Sequence, residues 1–330
     1  MSFMTAGKCM TSMSGSRNEP AGLAPVRCLV RLVSIMCLLP VLSCSAAAKP
    51  AAPHPACPPS QVVAWGDSLT YGLTQLGGVW GQARPTWLET VGVSLGVPTK
   101  NFGVPSQGSA EIAVRQGGLQ PRVTLSGGRI PAKSRTPIRI DAINPPDGWS
   151  QYADAGTMTM HGVLGDVPGT LQHTLTPGVD AFAFVPDVPP DTDISVPAAS
   201  AFSGDEGADY RGCFEIIWAG NNNSTQSAAI TRDVASMVSS LPDSKRYLIV
   251  GIIPGISDAL AQAYGPRFVD LRRWLATDGM AAAGVVPTAA DRDAVASGTI
   301  PPSLTVDGTH FTQAAYTAIG RHLASLISVG

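Results

Sequence analysis

The chain has 330 residues, 44% hydrophobic and 14% charged, with a formal net charge of −2. That balance supports a sizeable core in one large domain or two and excludes extended disorder beyond the amino terminus. With no Lys/Arg cluster, a nucleic-acid partner has no electrostatic footprint.

Residues 1–48 read as a separate segment. Arg27 and Arg31 precede the apolar run Leu32 to Leu42, and Ser43, Cys44 and small residues up to Ala48 follow. The run is far shorter than the roughly 20 residues of a spanning helix, so the pattern is that of an export signal. Val41-Leu42-Ser43-Cys44 resembles a bacterial lipobox, in which Cys44 becomes the lipidated first residue and a membrane attachment. Cleavage after Ala48 is the alternative. Either route places the protein in a bacterial periplasm, on an outer membrane or outside the cell. The long stretch before Arg27 leaves Met10 and Met13 as alternative starts. Residues 49–60, rich in Pro and Ala, read as a tether.

Of six cysteines, Cys9, Cys28, Cys37 and Cys44 lie in this leader, which leaves Cys57 and Cys213 in the body. An oxidising compartment favours a disulfide between such a pair. Cys57 lies just before the apolar run Val62 to Trp65, and Cys213 just before Phe214 to Ala219. If those strands are parallel neighbours, both sulfurs fall at one sheet edge. No C-x-x-C or H-E-x-x-H spacing suggests a metal site.

Val62 to Trp65 has strand character and ends at Gly66-Asp67-Ser68-Leu69. In a parallel α/β sheet, ligands bind where a strand's carboxyl end meets a helix amino terminus. A serine there is exposed, and nearby backbone N–H groups can stabilise negative charge. A loop follows Gly72. Trp87, Leu88, Val91 and Leu95 recur at helical spacing over 85–95, and Gly96 and Pro98 stop the helix. Gly92-Val93-Ser94-Leu95-Gly96 matches the G-x-S-x-G nucleophile elbow. That motif needs a strand before its serine and a helix after it, so Ser94 reads as a helix end instead.

Asn101-Phe102-Gly103 reads as a strand end entering a glycine-bearing loop, with a helix over 110–116. Across 119–212, Val123/Leu125, Ile138/Ile140, Met158/Met160 and Phe182/Phe184 alternate with other residues between Gly/Pro turns. This predicts half-buried strands and an inserted β-rich subdomain. Helix–strand alternation then resumes. Phe214 to Ala219 is a strand ending in Gly220-Asn221-Asn222-Asn223, and an amphipathic helix runs from Ile230 to Leu241. Tyr247 to Ile253 is a strand, Ala259 to Tyr264 a helix and Arg267 to Leu271 a short strand. A loop over 303–311 holds Asp307-Gly308-Thr309-His310, and a helix over 312–327 closes the chain. Residues 61–118 and 213–330 thus form an α/β core of about five parallel strands, doubly wound.

Serine is a poor nucleophile until a base takes its proton. Of five histidines, His54 lies in the tether, His161 and His173 in the insert, and His322 mid-helix. His310 stands three residues after Asp307, whose carboxylate can accept the Nδ1 proton and leave Nε2 facing Ser68. Oxyanion donors are available from the Ser68 N–H, the loop after Asn101 and the Asn222 side chain.

Gly66-Asp67-Ser68-Leu69, Asn101-x-Gly103, Gly220-x-Asn222 and Asp307-x-x-His310 each sit at a strand exit or pre-helix loop, in that order. Together they resemble the SGNH (GDSL) hydrolase family, over roughly 61–118 and 214–327. The resemblance implies a flavodoxin-like three-layer α/β/α fold, with Ser68 as nucleophile, His310 as base and Asp307 as its orienter. It implies an oxyanion hole of Ser68, Asn222 and a donor near Ser106. The family's adjacent first- and third-block strands also support a Cys57–Cys213 pairing. The chain departs from the pattern at Ser106, where glycine is usual, so Gly103 and Gly108 are alternative donors. It departs again at Asn223, where aspartate is frequent.

The implied activity is ester hydrolysis through an acyl-enzyme, with no metal or organic cofactor. The family spans carbohydrate deacetylases, lipases, lysophospholipases and thioesterases. Export and an insert at the active-site edge favour O-acetyl groups on a polysaccharide or glycan. Trp149, Tyr152, Phe182, Phe184 and Tyr210 are then either a sugar platform or subdomain core. A lipase-type esterase, or a catalytically silent binding or envelope-assembly protein, is the alternative.

Overall fold

The computed structural model describes residue 57 and residues 61–150, 155–243 and 246–327. Residues 1–48, read above as an export signal, and with them Cys44, lie outside the described residues, as does Tyr152. In chain order, β1 (Val62–Gly66) leads into α1 (Ser68–Tyr71), the hairpin β2 (Leu73–Leu76) and β3 (Val79–Gln82), and α2 (Trp87–Leu95). β4 (Thr99–Gly103) and α3 (Ser109–Gln116) follow. The insert holds β5 (Arg122–Leu125), β6 (Arg129–Ile130), β7 (Ile138–Asn144), β8 (Gly156–Leu164), β9 (Val167–Thr176), β10 (Val179–Pro186), β11 (Ile194–Ser195) and β12 (Ser200–Gly204). The chain then runs through β13 (Phe214–Trp218), α4 (Ser227–Ser239), β14 (Tyr247–Gly251), α5 (Pro254–Tyr264) and β15 (Phe268–Asp270). Helices α6 (Leu271–Trp274), α7 (Met280–Ala282), α8 (Ala289–Ala296) and α9 (Gln313–Leu326) complete it.

β1, β4, β13, β14 and β15 form one parallel sheet in the order β15-β14-β13-β1-β4. Counted along the chain this is 2-1-3-4-5, a doubly wound order. β1 and β13 are buried on both faces, which is why they read as apolar runs, that of β13 broken by Glu215 alone. Val62 and Ala64 pack with α2 and α9, while Val63 and Trp65 pack with α3, α4 and α5. The sheet is therefore sandwiched between two helical layers. Cys57 and Cys213 are disulfide-bonded ahead of β1 and β13, Cα atoms 5.2 Å apart, where Val62 is in register with Phe214.

The insert closes on itself. Six antiparallel strands form a barrel in the cyclic order β10-β7-β5-β12-β8-β9. Leu164, Leu171, Phe184 and Phe202 fill it, and this cluster is continuous with the core under α3 and α4. Every residue of α3 is buried, including Glu111, Arg115 and Gln116, because the helix is covered by the barrel as well as by the sheet.

The expected loop after Gly72 is instead the β2–β3 hairpin. Its turn is Gly77-Gly78, at φ 61° and 84°, the mirror-type turn that two glycines allow without strain. Ser94 lies exposed in the last turn of α2, which ends at Gly96 in the left-handed conformation. The helices α6 to α8 had no counterpart in the apolar periodicity. The clearest local signal there is the Thr288/Asp291 capping box that opens α8.

Candidate active site

The site forms where β1 ends between β4 and β13, the point at which strand order reverses. Two glycines let α1 settle on the strand ends. A Cβ on Gly66 would lie 2.0 Å from Thr70 Oγ1 and 2.3 Å from the Trp218 carbonyl oxygen. A Cβ on Gly103 would lie 2.1 Å from the Tyr71 nitrogen. Asp67 caps α1 by accepting from the Leu69 N–H at 3.0 Å, and its second oxygen accepts from Asn221 Nδ2 at 2.9 Å. Burial pushes the Asp67 carboxyl up to about 6, although both hydrogen bonds and His310 pull the other way.

Ser68 begins α1, and its Oγ lies 2.9 Å from His310 Nε2. His310 Nδ1 lies 2.8 Å from Asp307 Oδ2. The other Asp307 oxygen accepts from the backbone N–H groups of Thr309 and His310 at 2.9 and 2.7 Å. The carboxylate thus shapes its own turn and orients the ring at once. Burial works to raise the Asp307 carboxyl, but the His310 ring and these two N–H groups outweigh it and hold it below the usual carboxylate range. The loop is closed by Val306 N–H donating to the His310 carbonyl at 2.8 Å, and the half-exposed Trp80 of β3 meets the His310 ring edgewise at 5.3 Å.

A cleft of about 620 Å³ opens in front of Ser68 and His310, with Ser106 and Asn222 on its wall. Hydrogen bonding separates the three candidate donors Gly103, Ser106 and Gly108. Gly103 N–H donates to Asn101 Oδ1 at 2.8 Å, and Gly108 N–H donates to Glu111 Oε2 at 3.0 Å. Ser106 N–H has no acceptor among the described residues, and Ser106 sits at φ 69°, the left-handed region where glycine is usual. Its carbonyl accepts from Ser150 Oγ at 2.6 Å. Asn222 Nδ2 donates one hydrogen to the Gln107 carbonyl at 2.7 Å, which leaves a second. Asn223 is buried and braces α3, accepting from Ser109 N–H and donating to Ser109 Oγ, both at 3.0 Å.

The structure therefore brings Ser68, Ser106, Asn222, Asp307 and His310 to one cleft. Among the described residues, it does not gather the aromatic candidates Trp149, Phe182, Phe184 and Tyr210 into an exposed platform. Trp149 and Phe184 are buried, Phe182 stacks on His173 at 4.1 Å, and Tyr210 packs edgewise on Phe102 at 4.9 Å. His322 stacks on Trp274 and His161 bridges Asp187 and Asp205, both away from the cleft. Asn221 and Trp80 had not been singled out from the sequence. The Gly77-Gly78 hairpin signal was the available pointer to Trp80.

Among the described residues, no cluster of three His, Cys, Asp or Glu side chains is arranged to hold a metal ion. Nor is any helix there long and apolar enough to cross a membrane. In comparisons with known proteins, no family model, no curated protein and no solved structure matches this chain.

Proposed function

We propose that the protein is an exported serine esterase built on a flavodoxin-like SGNH-hydrolase core. The observation that carries this reading is the hydrogen-bonded chain from Ser68 Oγ through the His310 ring to Asp307, with links of 2.9 and 2.8 Å. Ser68 Oγ attacks the ester carbonyl as His310 Nε2 takes its proton. The negative charge that develops on the carbonyl oxygen is met by the Ser68 and Ser106 N–H groups and Asn222 Nδ2. The tetrahedral intermediate collapses, His310 gives its proton to the departing alcohol, and an acyl-enzyme remains. Water, deprotonated by His310, attacks that ester, releasing the acid and restoring Ser68. Asp307 stays ionised and holds the ring in the required tautomer.

The preferred substrates are O-acetyl groups on a polysaccharide or glycan. An open cleft beside a loop braced by the barrel suits a small acyl group on a bulky alcohol. A longer acyl chain is the second reading. Leu73, Ile252, Ile253 and Pro254 on the cleft wall favour it, as do the exposed Leu76, Val79 and Trp80 on the adjacent hairpin.

The test is p-nitrophenyl acetate hydrolysis by the wild type and Ser68→Ala, with fluorophosphonate labelling. A wild type no faster than the variant, and unlabelled, removes the esterase reading and leaves a silent binding protein. Faster turnover of octanoyl than acetyl esters removes the glycan preference.

A further inference from the structure

We infer that the barrel is a working part of the site: Glu111 and His173 are positioning residues that hold the Ser106 N–H towards the oxyanion. The catalytic consequence rests on the esterase reading; the placement of the loop does not.

Ser106 adopts a left-handed backbone at φ 69°, which is strained for a non-glycine residue. Something outside the turn must hold it there. Ser150 Oγ donates to the Ser106 carbonyl at 2.6 Å, and Ser150 N–H donates to Glu111 Oε1 at 2.9 Å. The other Glu111 oxygen accepts from Gly108 N–H at 3.0 Å. One carboxylate thus grips both ends of the support for the loop.

Glu111 is fully buried, and a buried carboxylate needs a partner. His173, from β9 inside the barrel, supplies it: Nδ1 lies 2.8 Å from Glu111 Oε1. The ring is held by stacking on Phe182 and by Asp180 Oδ1, 2.9 Å from Nε2. Burial alone would lower the affinity of His173 for its proton, but Glu111 and Asp180 outweigh it and raise that affinity. The contact between the barrel and α3 thus ends on a loop that presents a free N–H to the cleft.

The experiment uses the whole protein with His173→Met, which cannot donate to Glu111, and His173→Gln, whose amide can. The readouts are kcat and KM on p-nitrophenyl acetate and amide hydrogen exchange across 104–110. His173→Met is expected to lower kcat about 10- to 100-fold with KM within about twofold, and to speed exchange across 104–110. His173→Gln is expected to stay within about threefold of wild type in kcat, with slow exchange retained. A folded His173→Met with unchanged kcat and exchange overturns the inference, as does His173→Gln falling equally far. Should His173→Met not fold, Ser150→Ala cuts only the last link, and unchanged kcat and exchange there overturn it. Should the wild type hydrolyse no ester, the esterase reading fails and the exchange comparison alone decides where the loop is held.

Discussion

Ser68 Oγ and His310 Nε2 are 2.9 Å apart although 242 residues separate them in the chain. The contact depends on two independent local devices. The Asp67 cap and Gly66 fix α1 at the end of β1, and the Asp307 turn aims the His310 ring. Neither device needs the other to form, so mutations at each separate chemistry from folding.

Asp307→Asn keeps an oxygen for the Thr309 and His310 N–H groups, and the turn is expected to survive. It no longer fixes the His310 tautomer or stabilises the imidazolium. We expect kcat on p-nitrophenyl acetate to fall by roughly 10³- to 10⁴-fold with an unchanged melting temperature. A loss smaller than tenfold would remove Asp307 from the triad.

At Ser106 the backbone N–H, rather than the hydroxyl, is the proposed donor. Ser106→Ala and Ser106→Gly are therefore expected to keep kcat within about threefold of wild type. Glycine relieves the left-handed strain but gains freedom in the unfolded chain, so the net stability change stays below about 1 kcal/mol. Ser106→Val places a β-branched residue at φ 69° and should cost roughly 2 kcal/mol or more along with most of the activity. A hundredfold loss in Ser106→Ala would make the hydroxyl the donor instead.

Glu215 on β13 is buried, and burial pushes its carboxyl up to about 8, against the Gln116 Nε2 bond at 2.9 Å and the Arg211 charge. The native state therefore keeps a proton that the unfolded chain releases above about 4.5, so stability falls as pH rises from there towards 8. Glu215→Gln keeps the bond without the titration. Urea unfolding at pH 4 and pH 7 should show the variant gaining about 3 kcal/mol on wild type over that range. Parallel pH dependences would show that Glu215 ionises freely in the fold.

The Cys57–Cys213 bridge closes a separation of 156 residues at the sheet end where β1 and β13 begin, opposite the cleft. Replacing both cysteines by serine should cost about 2–4 kcal/mol and leave kcat within about twofold. Two free thiols in the denatured, unreduced protein would show that the bridge does not form.

Much of this molecule was legible in its sequence because the signals are local. Apolar runs at Val62 and Phe214, helical spacing over 87–95 and turn glycines at Gly72 and Gly96 each need only neighbouring residues to act. Ser68, Asp307, His310 and Asn222 were legible as residue types at strand exits. The hairpin too has a local signal, Gly77-Gly78 between Leu76 and Val79.

The rest is a matter of partners, and partners come from distant segments. Sequence placed the donor near Ser106 and left Gly103 and Gly108 as alternatives. The bonds that occupy Gly103 and Gly108 are themselves local, to Asn101 Oδ1 two residues away and Glu111 three residues away, whereas the support that holds Ser106 reaches it from Ser150, 44 positions on. Alternation over 119–212 foretold strands, but closure into a barrel follows from pairings such as β5 with β12, which no local pattern encodes. Likewise Glu111 read as one polar position on a helix and His173 as one histidine in an insert. Chain periodicity determined which residues face inward; packing at long range decided that these two meet, because a buried charge is stable only where the fold brings it a counterpart.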